Sequence, residues 1–142
     1  MGKCFWGLLI AVAASAQQPA RDKAAFEKVC GACHSTSLIS DLKSGSEWQD
    51  TVGYMVDHGA KGTKEQLAGI MRHLARNFTR VNVNVATAAE IAPVLEVNES
   101  LAQSIVDYRA KHGEFTALDD LKKVPGIPAA KLDARRERIA FR

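Results

Sequence analysis

Two cysteines three positions apart and followed at once by a histidine, Cys30-Gly31-Ala32-Cys33-His34, constrain this chain more than any other stretch. Thiols at that spacing can work as a redox dithiol, supply half of a zinc site, or form two thioethers to a porphyrin edge while the adjacent imidazole binds iron. A thioredoxin-like dithiol expects a strand before the motif and an α/β context, and this sequence offers neither. A zinc site expects two further ligands at conventional spacing, whereas His58, His73 and His112 are scattered singly.

The N-terminus sets the compartment. Lys3 supplies a positive start, Phe5 to Ala13 is an apolar run, and Ala14-Ser15-Ala16 provides small residues before the polar Gln17-Gln18-Pro19. That order reads as a signal peptide over residues 1–16, cleaved after Ala16. The apolar run is about half the roughly 20 residues that span a bilayer, so no stable membrane span is expected after cleavage. Gly2 does not suggest myristoylation, because Trp6 stands where Ser or Thr is wanted. Cys4 leaves with the signal, so Cys30 and Cys33 remain of the three cysteines. A periplasmic or secreted chain with one such pair, followed by histidine, reads as carrying one covalent haem c. Cys30 and Cys33 are the attachment points, and His34 is the proximal iron ligand.

Hydrophobic periodicity predicts helices throughout. Arg21 to Cys33 places Ala25, Phe26, Val29 and Cys33 on one face. A helix opening at Ser46-Glu47-Trp48-Gln49 carries Trp48, Val52 and Met55 on one face and ends at Gly59 and Gly62. Another, capped by Thr63-Lys64-Glu65-Gln66, carries Leu67, Ile70, Met71, Leu74 and Phe78. Beyond it, Thr87-Ala88-Ala89-Glu90 caps a short helix stopping around Pro93. Leu101, Ile105, Val106 and Tyr108 mark a longer one closed by Gly113. Thr116 to Leu121 starts a further short helix, and a last one carries Leu132 and Ile139 after the turn Val124-Pro125-Gly126-Ile127-Pro128. Val81 to Val85 alternates and could be extended. The expected class is all-α, in two small units spanning residues 21–79 and 81–142. Units of about 60 residues bury little surface and usually need a staple; a covalent haem would serve the first.

The distal iron ligand stays open between Met55, Met71, His58 and His73. Met55 is favoured because it shares the face of Trp48 and Val52. Met71 is more simply core packing, and His58 and His73 have charged neighbours that suggest exposure. An open sixth position acting on a small molecule such as a peroxide is the enzymatic variant.

The segment from Phe26 to Phe78, reading VCGACHS, then EWQDTVGYMVDHGA, then LARNF, resembles small bacterial cytochrome c domains of periplasmic sulfite and quinoprotein dehydrogenase systems. The resemblance implies a three-helix cytochrome domain with His/Met ligation and a fairly high reduction potential. The family's Trp-x-x-x-Val-x-x-Met falls on Trp48, Val52 and Met55.

The segment from Val81 to Arg142 is similar to the tandem helix-hairpin-helix domain of ComEA-type DNA-binding proteins, on VNVNVATAAEIAPVL, SLAQSIVDYRAKHGEFTALDDLKKVPGI and KLDARRERIAF. The resemblance implies backbone N–H groups of a Gly-hydrophobic-Gly hairpin set against a DNA phosphate. Here that role would fall to Gly126, Ile127, Lys131 and Arg135. The first hairpin, Leu95-Glu96-Val97-Asn98-Glu99-Ser100, lacks both glycines and adds two carboxylates, and Pro128 replaces the second glycine of the other hairpin at the cost of an N–H. From Arg80 onward ten Lys and Arg face nine Asp and Glu, leaving +1, which is little attraction for a polyanion.

The expected function is therefore one-electron transfer by an exported monohaem cytochrome that is not an enzyme. Its helix-hairpin-helix module would dock a redox partner, such as a periplasmic dehydrogenase. The alternative is an extracytoplasmic DNA-binding protein carrying a haem domain.

Overall fold

The computed structural model describes residues 10–142, with side chains from Gln17 onward; residues 1–9 of the expected signal segment, Cys4 among them, lie outside the described residues. Helix α1 runs from Ile10 to Cys30. It begins well before Arg21 because the Ala- and Gln-rich stretch consists of good helix formers, and it passes through the expected cleavage point. It stops at Cys30, so the Cys-x-x-Cys-His motif occupies a helix end and the turn that follows. The Gly31 N–H still reaches the Glu27 carbonyl at 3.1 Å.

Helix α2 spans Gly45–Asp57. Its N-cap is Ser44 rather than Ser46: Ser44 Oγ accepts from the Glu47 N–H, and Glu47 Oε2 accepts from the Ser44 N–H at 2.7 Å. Both serines stand three residues before an acceptor, and Glu47 holds the N-cap N–H with a charge where Gln49 would not. Helix α3, Lys64–Phe78, starts at Thr63 as expected, with the reciprocal Thr63 and Gln66 bonds in place. Its stripe packs on α1: Ile70 and Leu74 are buried with Phe26, Val29 and Trp48, and Met71 and Phe78 lie at the edge of that cluster. Truncating Ile70 or Leu74 to alanine would cost about 2–5 kcal/mol each.

The C-terminal half holds two helical hairpins. Helices α4 (Ala88–Leu95) and α5 (Glu99–His112) form the first. Helix α4 runs two residues past Pro93, whose ring is accommodated in so short a helix, and ends where Glu96 takes a left-handed conformation with φ of 53°. Short helices α6 (Leu118–Leu121) and α7 (Ala129–Ala134) form the second. The fold is mostly helical, as expected, with one short exception. Val81–Asn82 is a strand, β1, and pairs in parallel with β2, Ile139–Ala140. Ile139 thus lies in a strand and not in the last helix, which ends at Ala134. Pairing of alternating Val81 and Val83 with the chain's end buries both, which a terminal helix could not do. Asn84 locks this closure, its amide donating to the Phe115 and Phe141 carbonyls at 2.9 Å each and its oxygen accepting from the Phe115 N–H at 2.8 Å.

Core size separates the halves. Among the described residues, fifteen buried apolar side chains form the C-terminal core and five the N-terminal one. Among the described residues the larger core is therefore the C-terminal one.

The two halves meet at the end of α3. Its last carbonyls would lack partners, but Arg138 donates to the Arg76 carbonyl at 2.6 Å and to the Asn77 carbonyl, and Arg135 also reaches the Arg76 carbonyl. Trp48 Nε1 donates to the next one, Phe78 O, at 2.9 Å. Thr79 is buried, and its hydroxyl donates to the Leu74 carbonyl. Residues 79–81 are therefore a packed junction rather than a free linker.

Candidate functional site

The N-terminal half leaves a cavity of about 600 Å³ between the end of α1, the loop after it, and the faces of α2 and α3. Its volume falls within the roughly 300–1,000 Å³ of cofactor and small-ligand sites. Cys30, Cys33, His34 and Met55 all line it, with a wall from Phe26, Trp48, Val52, Ile70 and Leu74. Around it Met55, Val56 and Leu38 remain 38%, 38% and 70% exposed. These exposed apolar side chains make the cavity mouth an apolar surface.

The residues fit a covalent haem. Both thiols are free, Cys33 exposed and Cys30 half-buried. Burial pushes the Cys30 thiol above its usual value, so the protonated form is favoured there. His34 Nδ1 lies 3.1 Å from the Ser35 carbonyl. A carbonyl only accepts, so the neutral tautomer that fits this contact has Nδ1–H donating and leaves Nε2 free to bind a metal, the arrangement such carbonyls commonly impose on ligand histidines. Among the described residues no three His, Cys, Asp or Glu side chains gather around a metal ion. Haem iron asks for only one protein ligand on each face.

The four candidates for the distal position separate. Met55 and His58 line the cavity; Met71 and His73 do not. Met71 packs beside the α1–α3 core. His73, expected at the surface from its charged neighbours, is buried at 9% exposure and stacked on Phe26 with ring centroids 4.8 Å apart. It lies on the inner side of α3, one position before Leu74, which the charges of Arg72 and Arg76 concealed.

Desolvation, aided by the nearby Arg76 charge, lowers the His73 pKa below its ordinary value. The unfolded chain then binds a proton that the folded chain resists, so stability present at neutral pH is lost as pH falls below about 6.5. Thermal melts between pH 7.5 and 5.5 should show the melting temperature dropping on acidification. The drop should be smaller in His73→Phe.

Sequence reasoning missed Asp22, which lies on the buried side of α1. Its carboxylate is 1% exposed and takes one bifurcated bond from Arg72 Nε, 3.2 Å to each oxygen, one bond from Arg72 Nη2 at 2.9 Å and one from Gln18 at 2.8 Å. Burial alone would raise its pKa; the Arg72 and Gln18 bonds, with the charges of Arg72 and Arg76, outweigh this and hold it below the ordinary value. The signal was present as an acid spaced for the face of Phe26 and Val29, with its partners fifty residues away.

In the C-terminal half, Gly126 has φ of 82° and is exposed, while Ile127 is buried at 8%. The bases expected beside them are already engaged. Lys131 Nζ donates to the Glu96 carbonyl, and the Arg135 guanidinium pairs with the Glu96 carboxylate. Glu96 thus draws the basic side chains of the second hairpin onto the first. Residues 76–140 match the family described as the helix-hairpin-helix motif.

The C-terminal half is a helix-hairpin-helix domain. Similar sequences include the mouse (Mus musculus) endonuclease/exonuclease/phosphatase family domain-containing protein 1, 47% identical over 60 residues, 42% of this chain and 10% of that protein. An uncharacterized protein of Haemophilus influenzae is 43% identical over 63 residues, 44% of this chain and 56% of its own. ComE operon protein 1 of Bacillus subtilis is 40% identical over 47 residues, 33% of this chain and 23% of that protein. The chain thus spans between a tenth and about half of these relatives' lengths. No solved structure matches significantly. Among the described residues, no helix is long and apolar enough to cross a membrane.

Proposed function

We propose that this chain is an extracytoplasmic haem protein in which a monohaem c-type domain performs one-electron transfer beside a helix-hairpin-helix domain. The observation that carries the haem is the convergence of Cys30, Cys33, His34 and Met55 on a single apolar cavity. The comparisons bear on the C-terminal half and lend the cytochrome no support. When bound, the haem supplies reversible one-electron chemistry at its iron. The chain's own residues do the rest: two thiols tether, His34 offers Nε2, Met55 offers a thioether, and the apolar wall excludes water. The role is that of a carrier rather than an enzyme, with a redox partner protein meeting the cavity side. Export follows from the leader read at residues 1–16. Cleavage after Ala16 would leave Pro19 in the first turn of α1, where a missing N–H costs nothing.

The test is expression with a periplasmic haem-attachment system. Haem that survives acidic organic extraction and remains on a denaturing gel is expected, and a chain that emerges without it refutes the reading.

A second reading, DNA binding by the C-terminal half, is favoured by the family match and by the similarity to ComE operon protein 1. The comparisons support it more directly than they support electron transfer. It would rest on Gly126, Ile127, Lys131 and Arg135, two of which are tied to Glu96. If it holds, the full chain binds duplex DNA at low salt, and log affinity falls linearly with log salt. Glu96→Gly should then tighten binding several-fold, since it removes a carboxylate, frees Arg135 and suits the left-handed position. Titration of a labelled duplex at several salt concentrations measures both effects.

A further inference from the structure

We infer that His58 is a second metal-binding side chain of the same cavity, able to take the axial position assigned to Met55. This rests on the haem reading above. His58 caps the C-terminus of α2, one helical turn after Met55, and both residues line the cavity. Its ring is fixed in two ways. Nδ1 lies 2.8 Å from the Tyr54 carbonyl, and the imidazole stacks on the Tyr54 ring with centroids 3.9 Å apart.

The carbonyl can only accept, so the neutral ring that fits this contact is the tautomer with Nδ1–H donating and the Nε2 lone pair free. That is the state in which a histidine enters a metal site, with its other nitrogen hydrogen-bonded to a carbonyl that orients the ring and raises its basicity. His34 shows the same pattern with the Ser35 carbonyl. The two histidines at the cavity are therefore prepared alike, one in the attachment motif and one on α2. The other histidine of this half, His73, has Asn77 rather than a carbonyl beside its Nδ1 and lies outside the cavity.

Nothing in the packing commits α2 to Met55 alone. Met55 is 38% exposed and His58 is exposed. Neither is wedged into the core, and the two stand one helical turn apart on the wall of the same cavity. Thioether and imidazole ligands give very different haem potentials, the thioether favouring the reduced iron. A chain holding both on one face can thus present two ligation states of different potential.

The experiment uses the full-length, haem-loaded protein and its Met55→Ala, His58→Ala and double variants, read by absorption, near-infrared magnetic circular dichroism and redox titration. Met55→Ala is expected to lose the far-red sulfur-to-iron band yet remain low-spin with a bis-histidine signature. Its midpoint potential should shift downward. His58→Ala should keep the sulfur band, and the double variant should turn high-spin and bind carbon monoxide. A Met55→Ala protein that is high-spin and binds carbon monoxide overturns the inference while leaving the haem reading intact. So does a double variant that stays low-spin, since another side chain then supplies the ligand. Absence of covalent haem from the wild-type chain overturns both.

Discussion

Replacing Cys30 and Cys33 together by serine is expected to abolish covalent haem and to loosen the N-terminal half while leaving the C-terminal half folded. The asymmetry of the two cores makes this the largest effect of any substitution considered. Among the described residues, five buried apolar side chains hold the first half and fifteen hold the second, and a cavity of about 600 Å³ lies in the first. With a haem tethered there, the walls made by Trp48, Val52 and Met55 gain a large apolar plate to pack against. Without it, apolar surface stays wet at about 25 cal/mol per Å². Mass spectrometry reads the loss of one haem per chain. Amide hydrogen exchange should show protection falling in α2 and the end of α1, while α4 and α5 keep theirs. Retention of native-like protection in α2 by the double-serine chain would show that the cavity needs no occupant.

Asp22→Ala is expected to destabilise the N-terminal half by about 2–3 kcal/mol, a value reduced from the usual cost of breaking a buried pair because Arg72 is partly exposed. The carboxylate is the joint between α1 and α3: Arg72 and Arg76 reach it from α3, and Gln18 from its own helix. Its removal leaves two guanidinium groups facing each other with a void between. Since α1 delivers Cys30 to the cavity, haem attachment should also become less efficient. Asp22→Asn should fall between wild type and alanine, because it preserves shape and hydrogen bonds but not charge. The folded-state pKa is depressed, so this contribution is present above the ordinary carboxylate range and is lost on strong acidification. The loss of stability between urea melts at pH 7 and pH 3 should therefore be smaller for Asp22→Asn than for the wild type.

Several features were legible because they are local. Thr63 and Thr87 cap their helices through bonds to residues three positions on, and Gly113 closes α5. The stripes of α2 and α3 appear as residues spaced three and four apart. Where two local signals competed, as with Ser44 and Ser46, the spacing could not rank them; the partner's charge did. Long-range placement was less visible. The strand β1 exists only because residues near position 139 return to pair with it. His73 was hidden by charged neighbours that point elsewhere. Lys131 and Arg135 looked like free bases until Glu96, thirty-five and thirty-nine positions earlier in the chain, was found beside them.

By itself, the sequence carried the expectation of haem attachment at Cys30-Gly31-Ala32-Cys33-His34 and of two helical units, and it determined the helix-hairpin-helix character of residues 76–140. These follow from spacing along the chain, and spacing survives without a fold. Only the tertiary structure decided which distal candidates face the cavity, that the junction at Thr79 is packed, and that Glu96 ties down Lys131 and Arg135. Each of those depends on which faces of separate helices meet, and that choice is made by burial of apolar stripes and pairing of distant charges.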